Sequence, residues 1–241
     1  MKLNFPKREL TGNDALIFTA HLPSITQNLE ELWIFLSDQE KAQADKFINT
    51  NLKDRYIISH GLLRHLLAFY VRIEPQNIQY SVNQFGKPFL KDTNCRVQFN
   101  MSHSKDYAAY IIALDSLVGI DIEWKDETVN FQEIIELVFS PTEINIFNKL
   151  SPAEQFRAFY DIWTKKEAII KAIGQGLSYP LRTIEIMSSI KNNKAYYVDN
   201  ETTFHYAELR GLDNYAGAIS LTHKLEKLTQ IDITTHKIFH Y

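Results

Sequence analysis

The sequence predicts an α+β protein made of two similar halves, and three observations carry that expectation. Apolar residues at helical spacing alternate along the chain with short β-rich runs. A serine-led helix start occurs twice, at Leu36-Ser37-Asp38-Gln39-Glu40 and at Phe139-Ser140-Pro141-Thr142-Glu143, each time ahead of a short helix and then a long amphipathic one. No low-complexity tract or Pro/Gly/Ser-rich linker separates the parts, so they should pack against each other. The expected division is an N-terminal half, residues 1–116, and a C-terminal half, residues 117–241.

In the first half, Ser37 caps a surface helix that runs with mixed charge to Phe47, with Asp38 and Glu40 in its first turn. From Lys53 to Val71 the apolar stripe Tyr56, Ile57, Leu62, Leu63, Leu66, Leu67 and Tyr70 predicts a core helix with a basic beginning. Ile78 to Val82 reads as a strand, Gln84-Phe85-Gly86-Lys87-Pro88 as a turn, and Val97 to Asn100 as another strand. Tyr107–Leu114 and Leu117–Glu123, separated only by Asp115-Ser116, are expected to form an antiparallel hairpin. In the second half Ala153 to Ile173 is the long helix, and Ile184–Met187 and Tyr215–Leu221 are strand-like.

Composition narrows the function classes. An apolar content of 45% excludes a disordered or collagen-like chain. With 26 Lys plus Arg against 29 Asp plus Glu the net charge is −3, too balanced for nucleic-acid binding by overall positive charge, so an anion site has to be a local cluster. The single cysteine, Cys95, excludes an internal disulfide and a multi-thiolate metal site. The start Met1-Lys2-Leu3-Asn4-Phe5-Pro6 has no apolar signal region and no apolar stretch approaches bilayer length, so the expectation is a soluble, cytoplasmic protein without membrane contact.

Four local patterns carry chemistry. In Val118-Gly119-Ile120-Asp121-Ile122-Glu123 the two-residue period of a strand puts Asp121 and Glu123 side by side on one face. Their repulsion favours a cation between them, and oxygen ligands suit a hard ion such as Mg²⁺; a solvated polar sheet face is the other reading. Gly119 would let a ligand or a backbone approach closely. In Trp163-Thr164-Lys165-Lys166-Glu167-Ala168-Ile169-Ile170-Lys171, the residues Trp163, Glu167 and Lys171 lie four apart on one helix face, followed by a Gly174-Gln175-Gly176 stop. That is a cleft wall, or else a surface Glu–Lys pair. Phe99-Asn100-Met101-Ser102-His103-Ser104, placed at a strand end where amides lose their ladder partners, is a candidate anion cradle around an imidazole. Gly86-Lys87-Pro88 is a rigid turn presenting a lysine, and Lys41, Lys46, Lys53 and Arg55 add positive charge at or before the first long helix.

These four motifs, in this order and spacing over about residues 36 to 180, resemble those of the 4′-phosphopantetheinyl transferases of the large, pseudo-dimeric, surfactin-synthetase-activating type. The resemblance implies two fused α+β halves with the active site in the cleft between them, working as a monomer. It implies transfer of the phosphopantetheine arm of coenzyme A to a serine of an apo acyl or peptidyl carrier protein, with release of adenosine 3′,5′-bisphosphate. By the same resemblance Mg²⁺, with Mn²⁺ as the substitute, is held by Asp121, Glu123 and Glu167. Glu167 is the implied general base, Lys171 the fixed positive group, and Ser102 and His103 the contacts to coenzyme A phosphates. Gly86, Lys87 and Pro88 frame the adenine and phosphate region, and Arg55 binds the 3′-phosphate, a role shared in family members by lysines just upstream, near which Lys41 and Lys46 fall in a loose alignment. The competing readings are a short holo-carrier synthase built as a trimer, a Mg²⁺-dependent nucleotide hydrolase, and a binding module that has lost the chemistry; the presence of Asp121, Glu167 and Lys171 speaks against the last.

Overall fold

A computed structural model describes residues 9–12, 14–91, 95–187, 195–224 and 227–240. The first half runs β1 (Asp14–His21), α1 (Leu29–Phe35), α2 (Asp38–Ala44), α3 (Thr50–Val71), β2 (Tyr80–Val82), β3 (Pro88–Leu90), β4 (Val97–Ser104) and β5 (Tyr107–Leu114). The second repeats the plan with β6 (Val118–Trp124), α4 (Gln132–Val138), α5 (Pro141–Phe147), α6 (Pro152–Ile173), β7 (Tyr196–Asp199), β8 (Thr202–Glu208) and β9 (Tyr215–Leu221). In the larger sheets the order β1-β5-β4 is matched by β6-β9-β8, both antiparallel throughout. The chain then returns: β10 (Lys227–Asp232) pairs parallel to β1, and β11 (Ile238–His240) pairs with β10, so the last strands belong to the first half's sheet. No described helix is long and apolar enough to cross a membrane.

The duplication is visible atom by atom at the helix starts. Ser37 and Ser140 share φ −69° and ψ 163°, and each closes a capping box with the glutamate three residues on, Glu40 and Glu143. A 22-residue helix follows in each half, α3 and α6. At equivalent places on these helices a buried cation meets the capping glutamate: Arg64 Nε donates to Glu40 at 2.5 Å, and Lys166 Nζ to Glu143 at 2.5 Å. Each cation also serves backbone carbonyls, Pro75 and Ile78 for Arg64, Val138 and Leu181 for Lys166. Buried charges of this kind persist only when paired and hydrogen-bonded, and here the pair locks a long helix to the short one before it.

Strand alternation divides the core into layers. Leu16, Phe18, Ala108, Tyr110 and Ile112 face α3, while Ala15, Ile17, Ala109, Ile111 and Ala113 face Val118, Ile120, Ile122, Ile219 and Leu221 of the second sheet. The opposite face of β6 meets α6, and Gly119 is the point of closest approach. A Cβ there would lie 2.0 Å from the Ala168 carbonyl oxygen and 2.5 Å from the Ala172 nitrogen, so only glycine lets helix and strand backbones touch.

Three expectations are corrected. β5 and β6 do not form a hairpin: β5 pairs with β4 and β1, whereas β6 pairs with β9. Asp115, at φ +50°, turns the chain from one sheet into the other. Ile184–Met187 is not a strand either; its Ile186 and Met187 amides donate to the Glu143 carboxylate, which replaces a neighbouring strand as acceptor. The strand expected over Val97–Asn100 continues to Ser104 in full register with β5, so the motif lies within the strand and not at its end; β4 is an edge strand, and only alternate amides turn to β5.

Candidate active site

The site lies where β4, the edge of the first sheet, runs beside β6, the edge of the second, with α6 across β6. Because β4 continues through the polar motif, Asn100, Ser102 and Ser104 share the face turned to β6. Asn100 Oδ1 accepts the Ile120 amide (2.9 Å), Ser102 Oγ donates to Asp121 Oδ1 (2.9 Å), and Ser104 Oγ donates to Glu123 Oε2 (3.0 Å) while accepting the Trp124 amide (3.0 Å). Alternating side chains thus join two sheets that share no backbone ladder here, and they orient both carboxylates of the strand motif.

From α6, Lys171 Nζ reaches Asp121 Oδ1 at 2.6 Å and Ser102 Oγ at 3.0 Å. The lysine pairs across to the strand and not with Glu167 on its own helix, so the surface-pair alternative falls away. Asp121 is 3% exposed, and its Oδ2, like Oε1 of Glu167, is buried without a hydrogen-bond partner. Burial first, then the charges of Asp121 and Glu123, push the Glu167 carboxyl up to about 7 against the pull of Lys171. Burial and Asp121 also raise the Glu123 carboxyl, opposed by Ser104, Lys171 and the Trp163 indole. Three mutually repelling carboxylates with one ammonium and two orphaned oxygens form an incompletely neutralised cluster, a donor set that fits a divalent cation bound through oxygen. Among the described residues they are not drawn together as a finished metal cage, since Lys171 stands against Asp121.

The first half supplies the remaining expected residues in different ways. His103 points to the opposite face of β4 from Ser102 and is exposed. Enclosure by neighbouring atoms, then the nearby His60 and Lys171, holds its imidazole below the ordinary range. Arg55, on α3, forms an ion pair with Asp106 in the turn after β4, and the Asp106 amide donates to the Tyr215 hydroxyl of the second half (3.2 Å). Lys87 is not poised over an anion: its amine donates to the carbonyls of Val118 (2.9 Å) and Ala172 (3.1 Å), and burial lowers it to about 8. Gly86 gives the turn its φ of +87°, and Pro88 lines a cleft of about 140 Å³ with Lys87, Phe99 and Gly174. Neither Lys41 nor Lys46 is brought to the carboxylates by any contact described; Lys46, in the turn after α2, bonds Gln43 in the last turn of that helix.

The sequence placed Asn100 and Ser104 in a candidate anion cradle and not on a strand beside the one that carries the carboxylates, and it gave no sign of His60. His60 stacks on Tyr56 at 4.0 Å and faces Glu40 at 3.5 Å. The signal for the first two was present, since extending β4 by four residues places every second side chain opposite β6.

Comparison with known proteins shows the family. The sequence profile described as 4′-phosphopantetheinyl transferase superfamily matches residues 117–220, and that described as 4′-phosphopantetheinyl transferase, N-terminal, matches residues 23–114. The 4′-phosphopantetheinyl transferase Sfp of Bacillus subtilis is 30% identical over 165 residues, covering 68% of this chain and 71% of that one. The 4′-phosphopantetheinyl transferase psf-1 of Bacillus pumilus is 30% identical over 213 residues, 88% of this chain and 83% of its own. HetI of Nostoc sp., also a 4′-phosphopantetheinyl transferase, is 29% identical over 183 residues, 75% and 77% of the two chains. The protein is therefore an enzyme of the group-transferring class. It belongs to the 4′-phosphopantetheinyl transferase family, of the Sfp type.

Proposed function

We propose that this enzyme moves the 4′-phosphopantetheine arm of coenzyme A to a serine of an apo acyl or peptidyl carrier protein, with Mg²⁺ (or Mn²⁺) at Asp121, Glu123 and Glu167, releasing adenosine 3′,5′-bisphosphate. The observation that carries the reading is the cluster itself: the orphaned Asp121 Oδ2 and Glu167 Oε1 beside the Lys171 ammonium. A divalent cation there would neutralise diphosphate oxygens as a Lewis acid. The carrier serine oxygen attacks the β-phosphorus, its bond to the bridging oxygen breaks, and the electron pair leaves on the adenosine 5′-phosphate. Glu167, whose carboxyl burial and its neighbours hold at about 7 without a cation, would be kept ionised by one and take the serine proton as general base. Lys171 offers fixed positive charge to the phosphates, and its hydrogen bonds to Ser102 and Asp121 hold it ready. Ser102 and His103 contact phosphate oxygens in this reading, His103 from the exposed face of β4 opposite Ser102. Gly86 and Pro88 frame the adenine, while Arg55 exchanges Asp106 for the 3′-phosphate. Both halves of the site come from one chain, which supports an active monomer, and we place the reaction in the cytoplasm as part of the same proposal.

The test is mass spectrometry of apo carriers incubated with enzyme, coenzyme A and Mg²⁺, with and without EDTA. A metal-dependent gain of one phosphopantetheine on the carrier is expected. Adenosine bisphosphate released without carrier would instead establish a hydrolase, and transfer undiminished by EDTA would remove the metal from the reading. Arg55→Ala should weaken coenzyme A more than 3′-dephospho-coenzyme A in calorimetry, and equal losses would refute the 3′-phosphate role.

A further inference from the structure

We propose that Asn83 and Lys87 are positioning residues: the turn between β2 and β3 clasps the end of α6 and the start of β6, and so sets where Lys171 and Asp121 stand. This rests on the transferase reading above and assigns the turn a task other than holding phosphate.

The turn first braces itself. Asn83 Oδ1 accepts the amides of Phe85 and Lys87, both at 2.9 Å, the Asn83 amide donates to the Lys87 carbonyl (2.9 Å), and the Gly86 amide to the Asn83 carbonyl (3.0 Å). Thus fixed, it reaches into the second half with three hydrogen bonds from two side chains. Asn83 Nδ2 donates to the Gly174 carbonyl (2.7 Å), while Lys87 Nζ bridges the Ala172 carbonyl on α6 and the Val118 carbonyl on β6. Carbonyls in the last turn of a helix have no partner within it, and a cation there also offsets the negative end of the helix dipole. The fit is close, since a Cβ on Gly174 would lie 3.1 Å from both Asn83 Nδ2 and Lys87 Cδ.

Position in sequence gives the clasp its consequence. Ala172 directly follows Lys171, and Val118 stands three residues before Asp121. One ammonium therefore ties together the two backbones that present the 2.6 Å Lys171–Asp121 contact. Gly119 sets how near α6 lies to β6; the bridge sets how far α6 can slide along it. A misplacement of about 1 Å at a reacting centre can cost roughly 100-fold in rate, so a loosened bridge should appear in turnover before it appears in ligand affinity.

The experiment compares Lys87→Met, Lys87→Arg and Asn83→Ala with wild type in kcat, calorimetric Kd for coenzyme A, melting temperature, and amide exchange over residues 119–123 and 168–174. Expected are a fall in kcat of about 10- to 100-fold for Lys87→Met, a Kd within about threefold of wild type, and substantial recovery of kcat in Lys87→Arg, whose guanidinium still donates to carbonyls. Asn83→Ala, which removes only the Gly174 tie and the turn brace, should move kcat the same way and keeps the test available if Lys87→Met does not fold. A Kd raised tenfold or more with kcat intact would make Lys87 a coenzyme A ligand and overturn the proposal. So would a lowered melting temperature with unchanged kcat per folded molecule. If wild type transfers to no carrier, the transferase reading fails by itself; the clasp then stands on faster amide exchange at both segments and falls if exchange is unchanged.

Discussion

Replacing Glu167 with glutamine isolates the electrostatic strain of the site. In the folded protein this carboxyl rises from its ordinary 4.5 to about 7, through burial and then through Asp121 and Glu123. A carboxyl raised on folding favours the protonated native state, so its contribution to stability is complete below pH 4.5 and is lost as pH rises through 7. At about 1.36 kcal/mol per pKa unit the ionised glutamate opposes folding at pH 8 by on the order of 3 kcal/mol. Glutamine, nearly isosteric with the protonated acid, removes that opposition at pH 8 and changes little at pH 5. Urea unfolding without metal should therefore give Glu167→Gln an advantage of about 1–3 kcal/mol at pH 8, the lower bound allowing for water that reaches the wild-type carboxylate, and almost none at pH 5. Added Mg²⁺ should raise the wild-type midpoint at pH 8 more than the variant's. Turnover should fall by about 100- to 10,000-fold. An equal midpoint at pH 8, or the same advantage at both pH values, would refute the claim that burial and the neighbouring carboxylates raise Glu167.

Further outcomes follow from the packing. Gly119→Ala puts a methyl into the α6 backbone and should cost about 1–3 kcal/mol or more, lowering the melting temperature by several degrees, and should lower kcat because Lys171 moves with the helix; a variant with wild-type melting and rate would show the approach to be loose. Lys166→Met leaves Glu143 charged and buried and should destabilise by about 3–5 kcal/mol in urea titration, with part recovered by pairing it with Glu143→Leu. Glu40 behaves oppositely to Glu167. Burial pushes its carboxyl up, yet hydrogen bonds from His60 and Ser37 and the charge of Arg64 outweigh it and bring it to about 2. Its stabilisation is present above pH 4.5 and disappears as pH falls toward 2, so Glu40→Gln should narrow the stability difference between pH 5 and pH 2.5 measured by urea unfolding.

Much of the fold was legible because its signals are local. Ser37 with Glu40 and Ser140 with Glu143 announce their helix starts by chemistry that acts within one turn. The apolar spacing before Val71 and before Ile173 marks α3 and α6, which begin at Thr50 and Pro152. Alternation in β6 places Asp121 and Glu123 on one face whatever lies beyond the strand, and Gly119 announces a close approach without naming the α6 backbone as what approaches. β1 was also open to reading, since Ala15 to Ala20 is a short run of mostly apolar residues.

Tertiary structure decided the partners. Tyr107–Leu114 and Val118–Trp124 are adjacent in sequence and equally suited to strands, but their backbone edges are taken by β1 and β4 in one case and by β9 in the other, so they end in different sheets. Ile184 and Ile186 are buried without a neighbouring strand because a glutamate about 40 residues earlier takes the amides at the end of their segment. Lys87 reads in sequence as a lysine displayed on a turn, and only the arrival of Val118 and Ala172 turns its amine inward. Caps, periods and side-chain polarity are fixed by neighbours a few residues away. Which donor meets which acceptor depends on surfaces that meet only when the chain closes on itself, and many pairings of similar energy satisfy the same local pattern.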